Sequence, residues 1–285
     1  MIQIGIRLHD VNTTKGKEEQ TLEKRAARAR EEGFSCVHLA PQKVIAGVRF
    51  EGETMHEGMG HYFRRVFAKN DLDISVLGCY MNLATPDDAQ LEVFKQRYYG
   101  SLRVARAAGA AMVGTETGNP NRENKPDRNT RTKDAFDTFV RNAADVAAYA
   151  EAQGVTFAIE PVWTHIVYDA DKALEMLKAI QSPNLRIILD PVNLLGVDNC
   201  DDRERIIGDA MEKLCPYIAM VHIKDFRREN GKFLNVAAGT GEMDYTSILR
   251  FMKARKPYIQ ATLENTDDTN AEKCRRFIRD VYDGL

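Results

Sequence analysis

The chain has 285 residues, with 40 Lys and Arg against 42 Asp and Glu, and its formal net charge of −2 leaves no strongly basic half for binding nucleic acid. Hydrophobic residues make up 44% of the chain, enough for a sizeable core, yet no apolar run approaches the roughly 18–20 residues that span a bilayer. Because the five cysteines form no CxxC pair and the N-terminal residues do not resemble a signal peptide, we expect a cytoplasmic protein with reduced thiols.

Short apolar runs alternate with longer amphipathic ones along the whole chain. The apolar runs predict strands over residues 2–8, 36–40, 73–80, 111–116, 155–160, 185–190, 218–223 and 258–264. The amphipathic runs predict helices, among them 22–34, 91–110 and 136–154, which close near Gly33, Gly109 and Gly154. The starts of successive strands lie about 30 to 44 residues apart, which is the length of one strand–helix unit.

Eight such units predict an α/β fold of the closed (β/α)8 type, the TIM barrel, which typically needs about 250 residues. An open doubly wound sheet would more often carry a Gly-rich phosphate loop after its first strand, whereas here that strand runs into "HDVNTTKGKEE" (9–19). The polar stretch 117–134 is interpreted as a long loop on the catalytic face. Since no linker or low-complexity segment divides the chain, we expect one barrel domain over residues 1–285.

Four of the predicted strands end in side chains that can bind a cation: Glu160, Asp190, His222 and Glu264. Each alone has a structural alternative, because an acid after a strand is often a helix cap and a single histidine is often a core residue. In a TIM barrel, however, the strand ends surround one mouth, where the active site lies. Three carboxylates and one imidazole there favour Mn²⁺, Mg²⁺ or Co²⁺, with Zn²⁺ also possible.

The motifs "AIEPV", "ILDPVNLL", "VHIKD", "GTGEMDY" and "TLEN" resemble those of the sugar-phosphate isomerase/epimerase superfamily, the xylose isomerase-like TIM barrels. Ketose 3-epimerases, hydroxypyruvate isomerase, inosose-processing enzymes and endonuclease IV belong to it. The resemblance implies that Glu160, Asp190, His222 and Glu264 bind one metal ion, with Mn²⁺ preferred. It also implies that Glu160 and Glu264 act as an acid/base pair on opposite faces of the substrate. Asn193 departs from the pattern, because many members have histidine there.

Further residues near these strand ends are candidates for substrate binding: Trp163, His165, Asn193, Lys224, Arg227 and Glu242. For most of them a structural role is a close alternative: a solvated loop for His165 and Lys224, packing for Trp163, and a turn for Glu242. Paired arginines such as Arg227 and its neighbour are often surface charges. His38 and Glu116 end two other strands and point to the same mouth.

The chemistry implied is proton abstraction next to a carbonyl of a small sugar or polyol-ketone, giving a metal-stabilised enediolate. Reprotonation at the same carbon makes an epimer, and reprotonation at the neighbouring carbon makes an isomer. We expect such an isomerase or epimerase. A keto-sugar or inosose dehydratase on the same scaffold is the main alternative, followed by a metal-dependent nuclease and a non-catalytic sugar-binding module. Since barrels of this superfamily commonly associate, we also expect a homodimer or homotetramer.

Overall fold

A computed structural model describes residues 2–11 and 20–285. The strands, in chain order, are β1 (Gln3–Arg7), β2 (Cys36–Leu39), β3 (Asp73–Gly78), β4 (Met112–Glu116), β5 (Thr156–Glu160), β6 (Leu185–Leu189), β7 (Ile218–Ile223), β8 (Asp225–Glu229), β9 (Lys232–Val236) and β10 (Gln260–Leu263). All except β8 and β9 form a closed barrel in the order β1-β10-β7-β6-β5-β4-β3-β2. All eight pairs of neighbouring strands in this barrel are parallel.

Helices connect the barrel strands and surround them. They are α1 (Leu22–Glu31), α2 (Pro41–Val44), α3 (Glu57–Lys69), α4 (Asp88–Ala108), α5 (Lys133–Gln153), α6 (Ala170–Ile180), α7 (Arg203–Leu214), α8 (Thr246–Arg255) and α9 (Ala271–Asp283). The predicted TIM barrel is therefore confirmed, and so are its eight strands, whose observed ends differ from the predicted ones by two residues at most.

The two longest helices, α4 and α5, begin and end at capping residues that the sequence makes recognisable. The side chains of Asp87 and Thr132 accept the backbone N–H group three residues along each helix. Gly109 and Gly154 end these helices with φ values of 73° and 65°, a conformation that costs glycine little. The side-chain cap explains why α4 begins at Asp88, before the first residue of the predicted apolar pattern.

The core has two parts, one on each side of the barrel wall. A small cluster inside the barrel joins five strands through Val76, Met112, Ala158, Ile188 and Met220. Residues from five strands of one closed barrel can meet in this way only in its interior. The larger cluster packs the outer faces of the strands against the helices. With both faces buried, the strands form a rigid frame whose carboxyl ends hold side chains at set positions.

An antiparallel hairpin of β8 and β9 follows β7 at the mouth of the barrel and was not predicted. Its turn is Asn230–Gly231, with φ values of 52° and 71°, and Asn-Gly is the sequence signal for such a turn. The buried carboxylate of Asp225 holds the base of the hairpin by accepting four backbone N–H groups, from Phe226, Gly239, Gly241 and Met243. The hairpin is thereby fixed next to the strand that carries His222.

In the described part of the chain, no helix is long and apolar enough to cross a membrane. The predicted long loop after β4 is confirmed, since residues 117–132 contain no helix or strand before α5 begins. The segment after β1, whose sequence lacks a phosphate-binding motif, falls largely on residues 12–19, which lie outside the described residues.

Candidate metal centre at the barrel mouth

Four of the strand-end residues meet at the mouth. Glu160 is the last residue of β5, His222 lies in β7, and Asp190 and Glu264 directly follow β6 and β10. Nδ1 of His222 lies 3.2 Å from Oε2 of Glu160 and 3.3 Å from Oε1 of Glu264. Glu160, Asp190 and His222 offer ligand atoms that all lie within 4.8 Å of one another. All four side chains are buried, and Glu264 is the most exposed of them at 7%.

The arrangement fits a divalent cation. Both ring nitrogens of His222 are buried without a hydrogen bond in the described residues, which is costly for a polar group unless another partner binds it. Two ligand atoms that are each about 2.0–2.2 Å from a metal ion are separated by roughly 3 to 3.5 Å. The distances from His222 to Glu160 and Glu264 fall in this range.

The remaining oxygens of two ligand candidates are held by Asn193 and its neighbour. Nδ2 of Asn193 donates a hydrogen bond to Oε1 of Glu160, which leaves Oε2 directed at His222. Oδ1 of Asp190 accepts the backbone N–H groups of Val192 and Asn193 at 2.9 and 3.1 Å. Asn193 therefore orients Glu160 through its side chain and Asp190 through its backbone, a role that requires no titrating group.

A buried lysine supplies the positive charge of the site. Lys224 is 4% exposed, and its Nζ lies 2.8 Å from Oδ2 of Asp190 and 3.2 Å from Oε2 of Glu264. Nη1 of Arg7 approaches the same oxygen of Glu264 at 3.6 Å. Burial lowers the pKa of Lys224, but the charges of Asp190 and Glu264 outweigh this effect and raise it above its ordinary value. Lys224 is therefore a permanent cation within the carboxylate cluster.

The pKa values of the ligand candidates reflect the same crowding of charge. Burial lowers the pKa of His222, but Glu160 and Glu264 outweigh it and raise that pKa to about 9. Burial raises the pKa of Asp190 to about 6, partly offset by the charge of Lys224. Burial acts in the same direction on Glu264, yet Lys224 and His222 hold its pKa well below the usual range. The cluster thus attracts positive charge, as a cation site does.

The mouth encloses a pocket of about 380 Å³ beside these residues. It is lined by Arg7, His9, His38, Ala40, Lys43, Tyr80, Glu116, Asn193, Lys224, Asn235, Glu264 and Asn265. Every one of these side chains except that of Ala40 is polar or charged, so the pocket suits a small molecule with many hydroxyl groups. Arg7 and Tyr80 were missed as candidates although they lie at the ends of predicted strands. Asn235 was also missed, because it reaches the pocket through the hairpin of β8 and β9, which was not predicted.

The structure brings only some of the predicted substrate-binding residues to this pocket. Asn193 and Lys224 line it, and Nδ1 of His165 lies 3.7 Å from Oε2 of Glu116, which also lines it. Burial lowers the pKa of His165 to about 4, so its imidazole is neutral. The backbone N–H of Gly118 donates to its Nδ1 at 3.4 Å.

The three other candidates make contacts elsewhere. Trp163 packs against the guanidinium of Arg131, whose carbon lies 4.1 Å from the ring centroid. Glu242 pairs with Arg228 at 2.7 Å, and Arg227 donates to the carbonyl of Thr240. None of these three lines the pocket. For Trp163 this contact corresponds to the packing role that the sequence left open.

His38 stands beside the ligand cluster. Its ring stacks on that of His222, with centroids 5.5 Å apart, and on that of Tyr80, with centroids 5.8 Å apart. Burial and the neighbouring His222 lower the pKa of His38 well below its ordinary value, so this imidazole is neutral. His38, His222 and Glu264 form a second group whose ligand atoms lie within 4.8 Å of one another.

Comparisons with known proteins agree with the barrel fold described above. The family model described as xylose isomerase-like TIM barrel matches residues 26–281. The fold is similar to a solved L-ribulose 3-epimerase (17% identity, TM-score 0.75, covering 100% of this chain and 95% of that chain). It is also similar to a D-psicose 3-epimerase solved in the presence of D-fructose (15% identity, TM-score 0.71, covering 99% of each chain). A third similar structure is an IOLI protein with a bound zinc atom (14% identity, TM-score 0.70, covering 99% of each chain). At these identities the structural likeness establishes the fold alone, and no curated protein sequence matches significantly.

Proposed function

Because the chain belongs to the xylose isomerase-like TIM barrel family, we propose that it is a divalent-metal-dependent isomerase or epimerase of a small sugar or polyol-ketone. The observation that carries the proposal is the meeting of Glu160, His222 and Glu264 beside a pocket lined by polar side chains. Carboxylates and an imidazole that converge in this way are a suitable donor set for Mn²⁺, and Mg²⁺, Co²⁺ and Zn²⁺ are the alternatives.

In this proposal Glu160, Asp190, His222 and Glu264 hold the ion. The ion would supply Lewis-acid polarisation of a substrate carbonyl and the adjacent hydroxyl, which makes the neighbouring C–H bond more acidic. Glu160 or Glu264 removes that proton, and the other carboxyl returns one to the same carbon from the opposite face or to the neighbouring carbon. The ammonium of Lys224, at the edge of the pocket, stabilises negative charge that develops on the substrate oxygens.

The test is hydrogen exchange in D₂O. Candidate ketoses, aldoses and inososes, with D-fructose included, are incubated with protein and Mg²⁺ and followed by proton NMR. Parallel samples with Mn²⁺ are cleared of the paramagnetic ion before measurement. We expect loss of the proton signal next to the carbonyl, together with a new epimer or isomer one mass unit heavier. A product that has lost water would identify a dehydratase instead, and binding without exchange would identify a sugar-binding module.

Metal removal gives a second prediction. Treatment with a chelator followed by its removal should abolish turnover, and added Mn²⁺, Co²⁺ or Mg²⁺ should restore it, because the ion would polarise the carbonyl and so acidify the neighbouring C–H bond. Activity is measured alongside the metal content by elemental analysis. Full turnover in protein shown to be free of metal would contradict the proposed ligand role of Glu160, Asp190, His222 and Glu264.

We further propose that the protein assembles as a homodimer or homotetramer, as barrels of this superfamily commonly do. Light scattering at micromolar concentration is the measurement. A mass close to the 32.2 kDa of one chain would exclude both assemblies at that concentration.

A further inference from the structure

The pocket contains a carboxyl group that the ligand cluster does not use. Glu116, the last residue of β4, lines the same pocket as Glu264 and Lys224, and its side chain is 37% exposed. Within the described residues, two groups of side chains could hold an ion, and neither includes Glu116. Its carboxylate therefore faces the pocket without being placed to bind the ion.

The barrel order sets Glu116 across the mouth from Glu264. Four steps lead from β10 to β4 through β7, β6 and β5, and four also lead there through β1, β2 and β3. The two strands are thus diametrically opposed in the barrel of eight. The register pairs Glu116 with Glu160 on the adjacent strand, so both residues lie at the same height at the mouth. A small molecule in the pocket would have the side chain of Glu264 on one side and that of Glu116 on the other.

The hydrogen-bonding capacity of Glu116 is also unused. The carboxylate oxygens of Glu160 and Glu264 face Asn193, His222 and Lys224. The carboxyl group of Glu116, by contrast, makes no hydrogen bond to the described residues, and its one ion-pair contact among them is Nδ1 of His165 at 3.7 Å, which is too long for a hydrogen bond. A carboxyl group can accept several hydrogen bonds, and it can donate one when it carries a proton. Glu116 can therefore accept bonds from a molecule in the pocket without giving up a bond within the protein.

We propose that Glu116 is a substrate-specificity residue that accepts a hydrogen bond from a substrate hydroxyl on the side of the pocket opposite Glu264. It selects for the presence and configuration of that hydroxyl. The proposal deepens the proposed function, on which it rests, because it assigns a polyhydroxy substrate to the same pocket. Removing one partner of a buried hydrogen bond leaves the other unsatisfied, which changes affinity by roughly 10- to 100-fold.

The test compares sugar binding by the wild-type protein with binding by Glu116→Ala and Glu116→Gln. Isothermal titration calorimetry in Mg²⁺ is run with the sugar of the panel that binds the wild-type protein best, and with its monodeoxy analogues. For the Ala variant we expect a dissociation constant about 10- to 100-fold higher for the parent sugar. For the one analogue that lacks the contacted hydroxyl, the variant and the wild-type protein should bind equally.

A matched control is Glu123→Gln, which removes the charge of an exposed glutamate on the loop after β4. This variant should change neither the affinity for sugar nor the affinity for Mn²⁺. Neither Glu116 variant should lose most of its affinity for Mn²⁺, since this residue does not ligate the ion. Equal binding of every sugar by variant and wild type would overturn the proposal, and so would a large loss of Mn²⁺ affinity. Because binding is measured without turnover, a wild-type protein that binds sugar but exchanges no C–H proton would refute only the proposed function.

Discussion

Replacing Glu160 or Glu264 by Gln is expected to reduce turnover by at least about 10²–10⁴-fold, because a positioned acid or base contributes that much to rate. Gln retains one oxygen that can bind a metal ion more weakly, but it has no carboxylate to accept a proton. The altered ligand adds to the loss. Turnover is measured at saturating metal, and Mn²⁺ binding is measured separately by calorimetry, so that the two effects can be separated.

Asp190→Asn is the matched comparison for these variants. Oδ1 of Asp190 is held by the backbone N–H groups of Val192 and Asn193, and Oδ2 lies next to Lys224. The proposed role of Asp190 is to bind the ion, so excess metal should partly restore the activity of Asp190→Asn but not that of the Gln variants. In D₂O, the Gln variant that lacks only the reprotonating group should still exchange the C–H proton of the substrate. Wild-type turnover in either Gln variant would remove that glutamate from the mechanism.

Lys224→Met is expected to destabilise the metal-free protein by about 3–5 kcal/mol, because removing one partner of a buried ion pair leaves the other charges uncompensated. The lysine contacts both Asp190 and Glu264 and is almost fully buried. Because Met has a shape similar to that of Lys, the loss of stability reflects the missing charge more than a change in packing. The measurement is urea unfolding in the presence of a chelator, followed by circular dichroism.

The same variant should bind a divalent cation more tightly. The ammonium of Lys224 contacts two of the carboxylates that would bind the ion and repels a cation there, so its loss favours binding of the ion. Lys178→Met, at an exposed position of α6, is the control and should change neither property. If Lys224→Met unfolds at the wild-type urea concentration, the buried ion pairs make no net contribution to stability.

Asn193 shows how a departure from a family pattern can be understood through its contacts. The sequence shows only that an amide stands where many relatives carry an imidazole. In the fold its side chain donates to Glu160 and its backbone N–H donates to Asp190, so it orients two ligand candidates at once. An amide can do this at any pH, because it neither gains nor loses a proton.

Several features of the mouth depend on contacts between distant parts of the chain. Arg7 approaches Glu264 from the opposite end of the chain, and Asn235 reaches the pocket because the hairpin of β8 and β9 places it there. Trp163 follows the strand that carries Glu160, and Glu242 follows the hairpin of β8 and β9, yet their side chains contact Arg131 and Arg228 instead of the pocket. A loop residue close in sequence to a site can point away from it, since loop conformation depends on contacts with distant segments.

By itself, the sequence determined the number and order of the barrel strands and placed Glu160, Asp190, His222 and Glu264 at their carboxyl ends. It could do so because strand and helix periodicity is local, and because a closed parallel barrel brings all of these ends to one mouth. Only the tertiary structure decided which oxygens face one another, that Lys224 lies between two carboxylates, and that Glu116 stands across the pocket from Glu264. These relations depend on the register and closure of the barrel and on loop packing, which join residues far apart in the chain.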